Sequence, residues 1–371
     1  MNITKYLELM VNKNASDLFF SPGAPVLIKI EGVCMPVSEK HHLSAKDVKD
    51  NAYALMNDVH LKVFERDWEA NVGVSVSGLG RFRVNVMRQR GEVAMVVRHI
   101  KTDPPSIDKL GLPQFLKKLV MEKRGLVLVA GATGSGKSTT LASMIDHRNS
   151  ISHGHILTIE DPIEFLHHYK KSVVNQREVG TDTKSYNEAL KNAMREAPDV
   201  ILIGEIRDED TMRNAINYSE TGHLCLATIH ASNSVETLDR VINFFPERAH
   251  KQLLLDLSHN LRAIICQRLI PGVDGMRWPA IEILRDSPFI QELIKKGDMD
   301  GVRDAFERNL EKEVITFDQA IYKLYENKKI TKDEAISHAD SKHNMNVKIR
   351  LASDGPIADT QISDLHIEGD D

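Results

Sequence analysis

The residues that could do chemistry concentrate first in Gly131-Ala132-Thr133-Gly134-Ser135-Gly136-Lys137-Ser138, which fits the pattern G-x-x-x-x-G-K-[ST]. Its glycines let the backbone turn tightly, so that successive N–H groups point inward at phosphate oxygens. The N-terminus of a following helix adds its partial positive charge. Lys137 is expected to reach the β- and γ-phosphates of ATP and the Ser138 hydroxyl to ligate Mg²⁺, with Thr139 the last of the nucleotide contacts. The pattern gains its specificity from context. A strand, LVLVA, runs directly into the loop and a helical pattern leaves it.

Phosphoryl transfer also needs a carboxylate near the metal and a group that orients water. The strand Asp199-Val-Ile-Leu-Ile-Gly204-Glu205 has the character of a Walker B element, with Gly204 where an aspartate is common and Glu205 after it. Glu205 is expected to hold Mg²⁺ through a water. A second acidic cluster, Glu160-Asp161-Pro162-Ile163-Glu164, ends the strand HILTI. Ligands sit at the carboxyl ends of strands in open parallel sheets. Glu164 is the preferred general base or water-orienting group, and Glu160 is the alternative.

Two histidines bracket a further apolar strand, in Thr221-Gly-His223 and Thr228-Ile-His230. They could sense the γ-phosphate or contact a neighbouring subunit; the bland alternative is a structural role. Upstream, Arg81-Phe82-Arg83-Val84-Asn85-Val86 alternates with period two, placing Arg81, Arg83 and Asn85 on one face. Arg88, Arg90 and Arg98 follow nearby. The face is either solvated or a source of arginines that spread transition-state charge.

The elements that must position these groups fall into two patterns. Residues 1–100 read as a small α+β unit. Helical spacing covers 3–11, strands cover 17–20 and 26–31, and a broken helical stretch starts at the N-cap Ser44 and reaches Phe64. Close-set strands follow at 70–77, 81–88 and 93–100, with SGLG and QRG as turns. KTDPPSID at 101–108 reads as a linker. From 109 onward short apolar strands at 126–130, 156–159, 200–203 and 224–229 alternate with helices near 137–148, 185–196, 208–220 and 234–243. That alternation predicts a parallel sheet covered on both faces. Further on, helices are expected at 249–268, 288–296, 316–327 and 331–339, with a strand at 277–283. The acidic stretch 351–371 lacks any period and reads as a disordered tail.

Composition bounds the rest. A chain of 371 residues has room for two domains, and 42% apolar with 27% charged residues is the balance of a globular protein. A net charge of −5 lacks the basic surplus of a nucleic-acid binder, so no nucleic-acid partner is expected. Three separated cysteines, Cys34, Cys225 and Cys266, exclude a disulfide framework and a four-cysteine zinc module, and they fit a reducing compartment. No apolar run approaches the roughly 20 residues that span a bilayer, so the expected location is cytoplasmic, with membrane contact only through partners.

Together the motifs resemble the secretion-type ATPases of type IV pili and type II secretion. TIEDPIEF at 158–165 is similar to their aspartate box, GEIRD at 204–208 to their Walker B element, TGH…ATIHASN at 221–233 to their histidine box, and GRFRVN at 80–85 to their arginine-bearing N-terminal strand. The assembly ATPases of that family carry a paired C-x-x-C module and a long extra N-terminal domain, which this chain lacks. It therefore resembles the PilT/PilU-type retraction ATPases, and most the accessory PilU type. SDLFFSPGAP at 16–25 carries that likeness, with RFRVNVMRQRGEVAMVVR at 81–98, LRAIICQRL at 261–269 and TFDQAIYKLYENKKIT at 316–331. Phe289-Ile-Gln-Glu-Leu-Ile294 stands where PilT-type chains have an AIRNL-like helix.

The resemblance implies a PAS-like N-terminal domain over 1–100, the linker 101–108, a RecA-like ATPase domain with helical C-terminal region over 109–350, and the tail 351–371. It implies a homo-hexamer in which Arg81, Arg83 and Arg98 approach the nucleotide. Its partners would be a PilT-type retraction ATPase and an inner-membrane pilus platform protein. The activity implied is ATP hydrolysis that powers pilus depolymerisation. Two other readings stand beside it: an ATP-binding ring that docks on the main motor with little turnover, and a RecA-type nucleic-acid motor, which the charge balance disfavours.

Overall fold

The computed structural model describes residues 3–30, 32–307 and 314–353. The chain begins with helix α1 (Ile3–Asn12), strands β1 (Asp17–Phe20), β2 (Leu27–Ile30) and β3 (Val33–Pro36), helices α2 (Ala45–Ala54) and α3 (Asp58–Asp67), and strands β4 (Glu69–Val76), β5 (Gly80–Gln89) and β6 (Glu92–Ile100). Alternating elements follow: α4 (Phe115–Leu119), β7 (Gly125–Ala130), α5 (Lys137–Ile151), β8 (Gly154–Glu160), β9 (Ser172–Glu178), α6 (Tyr186–Ala193), β10 (Val200–Ile203), α7 (Glu209–Glu220), β11 (Leu224–Ile229) and α8 (Ser234–Asn243). Helix α9 (Glu247–Asn260) leads into a hairpin of β12 (Leu261–Pro271) and β13 (Arg277–Arg285). Helices α10 (Pro288–Lys296), α11 (Met299–Glu307), α12 (Phe317–Glu326), α13 (Lys332–His338) and α14 (Lys342–Ser353) complete the described chain.

Two compact units emerge, and both are discontinuous. One comprises the chain up to Ser106 together with Ser138–Glu205. The other comprises Ile107–Lys137 together with the chain from Ile206 onward.

The first unit holds an antiparallel sheet in the order β3-β2-β1-β6-β5-β4. Its inner face is apolar because β5 alternates as the sequence predicts: Phe82, Val84 and Val86 are fully buried, packed with Leu7 and Met10 of α1, Phe20 of β1 and Phe64 of α3. Ser44 caps α2, its hydroxyl accepting from the Asp47 N–H at 3.1 Å. The β5–β6 turn is the two-residue kind that needs positive φ at both positions, and Arg90 (φ 51°) and Gly91 (φ 83°) supply it. Parallel strands β10, β8 and β9 belong to the same unit, with Ile203 opposite Ile159 and Glu160 opposite Glu178. The 101–108 segment is fastened rather than loose. Lys101 makes a parallel bridge to Phe165, the Leu166 N–H donates to the Lys101 carbonyl at 3.0 Å, and the Ser143 hydroxyl lies 2.6 Å from the Pro105 carbonyl.

The second unit orders its strands β13-β12-β7-β11, with β7 parallel to both β11 and β12. Every residue of β7 and β11 is buried, as strands covered on both faces must be.

The structure departs from expectation where periodicity is ambiguous. The helix expected over 249–268 stops at Asn260, and 261–271 is strand β12. Leu261, Ala263, Ile264, Ile265, Cys266 and Gln267 are all buried, flanked by β7 on one side and β13 on the other. A short apolar run buried on both faces fits helical spacing equally well, and the paired Ile264-Ile265 was the signal for a strand. Strands β3 and β9 and helices α11 and α14 were not anticipated. Of the tail expected over 351–371, α14 takes up 351–353, and 354–371 lie outside the described residues, as does Glu31 of the strand expected over 26–31.

Candidate nucleotide site

The loop after β7 has the strained backbone its sequence promised. Gly131, Gly134 and Gly136 have φ of 152°, 78° and 90°, a region L side chains rarely enter. A Cβ at Gly131 would lie 2.4 Å from Ser135 Oγ and 2.7 Å from the Gln267 carbonyl oxygen, and one at Gly136 would lie 2.7 Å from Gln267 Nε2. Gln267, buried on β12, therefore braces the loop from below. Lys137 is buried and donates to the carbonyls of Gly131 (2.9 Å) and Ala132 (3.0 Å), so its ammonium lies across the loop mouth. The Ser135 hydroxyl is buried without a hydrogen-bond partner. An orphaned hydroxyl in a glycine-rich loop is a group that a phosphate oxygen would satisfy. The donor set fits an anion carrying Mg²⁺. Among the described residues no three His, Cys, Asp or Glu side chains form a metal site, and magnesium held between substrate phosphates needs only one or two protein ligands.

In the first unit, β8 and β10 end together, which brings Glu160 beside Gly204. The Gly204 N–H donates to the Ile159 carbonyl at 2.8 Å. A Cβ at Gly204 would stand 3.1 Å from Glu160 Cα, 3.2 Å from the Ile159 oxygen and 2.8 Å from Tyr186 Oη. The absence of an aspartate at 204 thus has a steric cause, and a half-buried carboxylate, Glu205, follows one residue later.

The two candidate bases are separated by environment. Glu160 accepts from Thr158 Oγ1 (2.7 Å), Gln176 Nε2 (3.3 Å) and the Glu164 N–H. Burial pushes its carboxyl up to about 7 against those hydrogen bonds. Glu164 is exposed and lines a cavity of about 460 Å³ whose walls include Arg83, Arg98, His99, Lys101 and Thr139. The sequence reading had missed Asn14–Ser16, His99 and Lys101, which line the same cavity. His99 stacks on Phe82 at 5.2 Å, and burial, then the Lys101 charge, lower its pKa, so the imidazole is neutral.

Arg83 of β5 lies directly opposite Arg98 of β6, and Arg98 opposite Asp17 of β1. Like charges facing each other across an antiparallel pair repel. Asp17 offsets part of that, accepting from Arg98 Nε at 2.8 Å. Arg81 does not line the cavity. Its guanidinium lies over Gly73 and 3.6 Å from Glu178 Oε2.

The histidines stand at opposite ends of β11. His230 follows its carboxyl end, the end at which Ile229 pairs with Ala130 just before the phosphate loop. His223 precedes its amino end, about 20 Å away at strand rise. Its Nδ1 lies 3.2 Å from the Tyr218 carbonyl and 3.1 Å from Thr221 Oγ1, so the ring is tied into the α7–β11 turn.

Strand, glycine loop, helix and the acidic edges of parallel strands define a P-loop nucleotide-binding protein. The family described as "Type II/IV secretion system protein" matches residues 2–348. The type IV pilus ATPase PilU of Pseudomonas aeruginosa is 47% identical over 355 residues, 95% of this chain and 93% of that protein. The type IV pilus retraction ATPase PilT of the same species is 39% identical, over 90% of this chain and 97% of its own length. A crystal structure of the pilus retraction motor PilT with bound ADP superposes with a TM-score of 0.86 at 39% identity, covering 92% of this chain and 98% of that one. The chain belongs to the type II/IV secretion system ATPase family, and within it to the PilT/PilU-type ATPases.

Two outcomes follow from this geometry. Gly204→Asp should destabilise the protein by about 1–3 kcal/mol, because the Cβ meets the β8 backbone; a denaturant midpoint equal to that of the parent chain contradicts it. Because its pKa is raised, Glu160 contributes stability below pH 4.5 that is lost as the pH climbs to about 7. Glu160→Gln should therefore melt like the parent near pH 4.5 and become more stable by on the order of 1 kcal/mol at pH 8, allowing for the residue's partial exposure. Thermal unfolding across that range checks the sign.

Proposed function

We propose that the chain binds Mg²⁺-ATP on Gly131–Thr139 and hydrolyses it to ADP and phosphate, as a PilT-dependent accessory motor of type IV pilus retraction. The observation that carries this reading is the cavity of the first unit. Thr139, immediately after the phosphate loop, shares its walls with an exposed carboxylate, Glu164, and with Arg83 and Arg98. A carboxylate and two guanidiniums around one space supply a water-orienting base and charge for a developing oxyanion. The relatives named PilU and PilT support the pilus assignment.

In this reading Lys137 and the loop amides would hold the β- and γ-phosphates, and Ser138 with Glu205 would hold the metal, which would supply positive charge to offset that of the phosphate oxygens. Glu164 orients the attacking water; the sequestered, proton-retaining Glu160 supports that choice. Arg83 and Arg98 spread charge, and the neutral His99 closes the cavity wall without adding to it. His230, at the loop end of β11, is suited to sensing the γ-phosphate. His223, held at the far end, suits the subunit contact instead. Residues 1–100 and 109–350 would work as two domains of a homo-hexamer at the cytoplasmic face of the inner membrane. The ring would engage a PilT-type ATPase and the pilus platform protein, reaching the membrane only through partners. Among the described residues no helix is long and apolar enough to cross a membrane.

Lys137→Ala should abolish retention of Mg²⁺-ATP, while Glu164→Gln should retain it and lower kcat by about 100-fold or more. Equilibrium binding of a fluorescent ATP analogue and phosphate release, with and without a PilT-type ring, read the two separately. Retraction that persists in cells carrying only the Glu164→Gln chain, which binds ATP without hydrolysing it, would replace the motor by an ATP-binding docking ring.

A further inference from the structure

Glu178, the last residue of β9, is almost completely buried and carries no role in the chemistry above. Its backbone is held hard: the Glu178 N–H donates to Asp182 Oδ2 at 2.9 Å, and its carbonyl accepts from Asp182 at 2.8 Å. Next to it, the Val179 N–H donates to the Glu160 carbonyl at 2.9 Å, continuing the β8–β9 ladder. The carboxylate projects from this fixed base toward two segments far apart in sequence. Its Oε2 accepts the buried N–H of Ile163 at 3.3 Å, and the same oxygen lies 3.6 Å from Arg81. Oε1 is 3.4 Å from the Thr181 hydroxyl.

Ile163 immediately precedes Glu164, so its N–H fixes the Pro162–Ile163 peptide, one peptide before the proposed base. Arg81 is two residues before Arg83 on β5, and its side chain is clamped between Gly73 and Glu178, because a Cβ at Gly73 would come 2.7 Å from its Nη2. Arg81 Nε and Nη2 are buried without hydrogen-bond partners, which makes the nearby carboxylate the group that offsets the guanidinium's burial. One oxygen therefore ties the strand bearing Arg83 to the loop bearing Glu164.

We propose that Glu178 is a positioning residue that couples the acidic loop 161–165 to strand β5, and that Arg81 acts through it rather than on the nucleotide. The proposal rests on the ATPase reading for its kinetic consequence but not for its structural one. Removing the charge at 178 leaves the Ile163 N–H an acceptor but frees Arg81, so the base and the charge-spreading arginine lose their common anchor. Ground-state nucleotide binding, carried by the phosphate loop, does not depend on it.

Two measurements test this. In the first, Glu178→Gln and Arg81→Gln should each lower kcat for ATP hydrolysis by on the order of tenfold, with KM changed less than about twofold, and the double variant should be no slower than the worse single one. Losses that multiply, or that fall on KM, would overturn the proposal, since an Arg81 touching nucleotide would act independently of Glu178. In the second, hydrogen exchange of the peptide 160–166 should quicken by about tenfold or more in Glu178→Ala and also in Arg81→Gln. Unchanged protection in Arg81→Gln sinks the coupling whether or not the chain hydrolyses ATP. An inactive parent chain with the expected exchange would count against the ATPase reading alone. If Glu178→Ala does not fold, Glu178→Gln and Arg81→Gln carry the exchange test.

Discussion

The parallel registers of β7 with β11 and of β8 with β10 end those pairs level, and the chemistry of this chain depends on that. In the second unit Ile229 lies opposite Ala130, so the phosphate loop and His230 leave the sheet at one edge. In the first unit Ile203 lies opposite Ile159, so Glu160 and Gly204 emerge side by side. Neither alignment can slip. A shift of one residue would turn the buried side chains of β7, β10 or β11 to the opposite face, where different neighbours already fill the space. Burial on both faces takes these interior strands out of solvent. In return it fixes where the loops after these strands begin.

The same argument explains what the sequence made legible. β7, β10 and β11 are four- to six-residue apolar runs, and a motif attached to such a run inherits a known place at its carboxyl end. The phosphate loop, Glu205 and the acidic cluster after β8 could therefore be placed from spacing alone. β9 was missed because Ser172–Glu178 shows no alternation, only two adjacent valines followed by four polar residues, and it pairs with β8 on one side. β12 was misread because its apolar positions satisfy a helical period as well as a strand's. Neither error touched the motifs, but both hid their supports: Gln267 of β12 beneath the glycine loop and Glu178 of β9 beneath the acidic one.

Roles proved harder to read than places. Arg81 and Arg83 share a face by alternation, yet only Arg83 reaches the cavity. Arg81 differs because Gly73, its diagonal neighbour on β4, leaves room for the side chain to lie down. The two histidines flank one strand in sequence, but a strand extends its ends rather than gathering them, which separates His223 from the phosphate edge. Asn14, Ala15, Ser16 and Lys101 carry no motif; they meet at the cavity because antiparallel pairing of β1 with β6 folds the two segments together.

The glycine at 204 shows how packing and charge act on one position. Glu160 keeps its proton up to about pH 7 because its carboxyl is enclosed and only partly compensated by Thr158, Gln176 and the Glu164 N–H. An aspartate at 204 would sit against the Glu160 backbone and bring a second carboxyl into the same poorly solvated space, where like charges cannot both ionise cheaply. Glycine removes both the steric and the electrostatic conflict. It also lets the strand pass close enough for its N–H to reach the Ile159 carbonyl, so β8 and β10 stay paired to their very ends. The acid stands one residue later, at Glu205, beyond the end of β10.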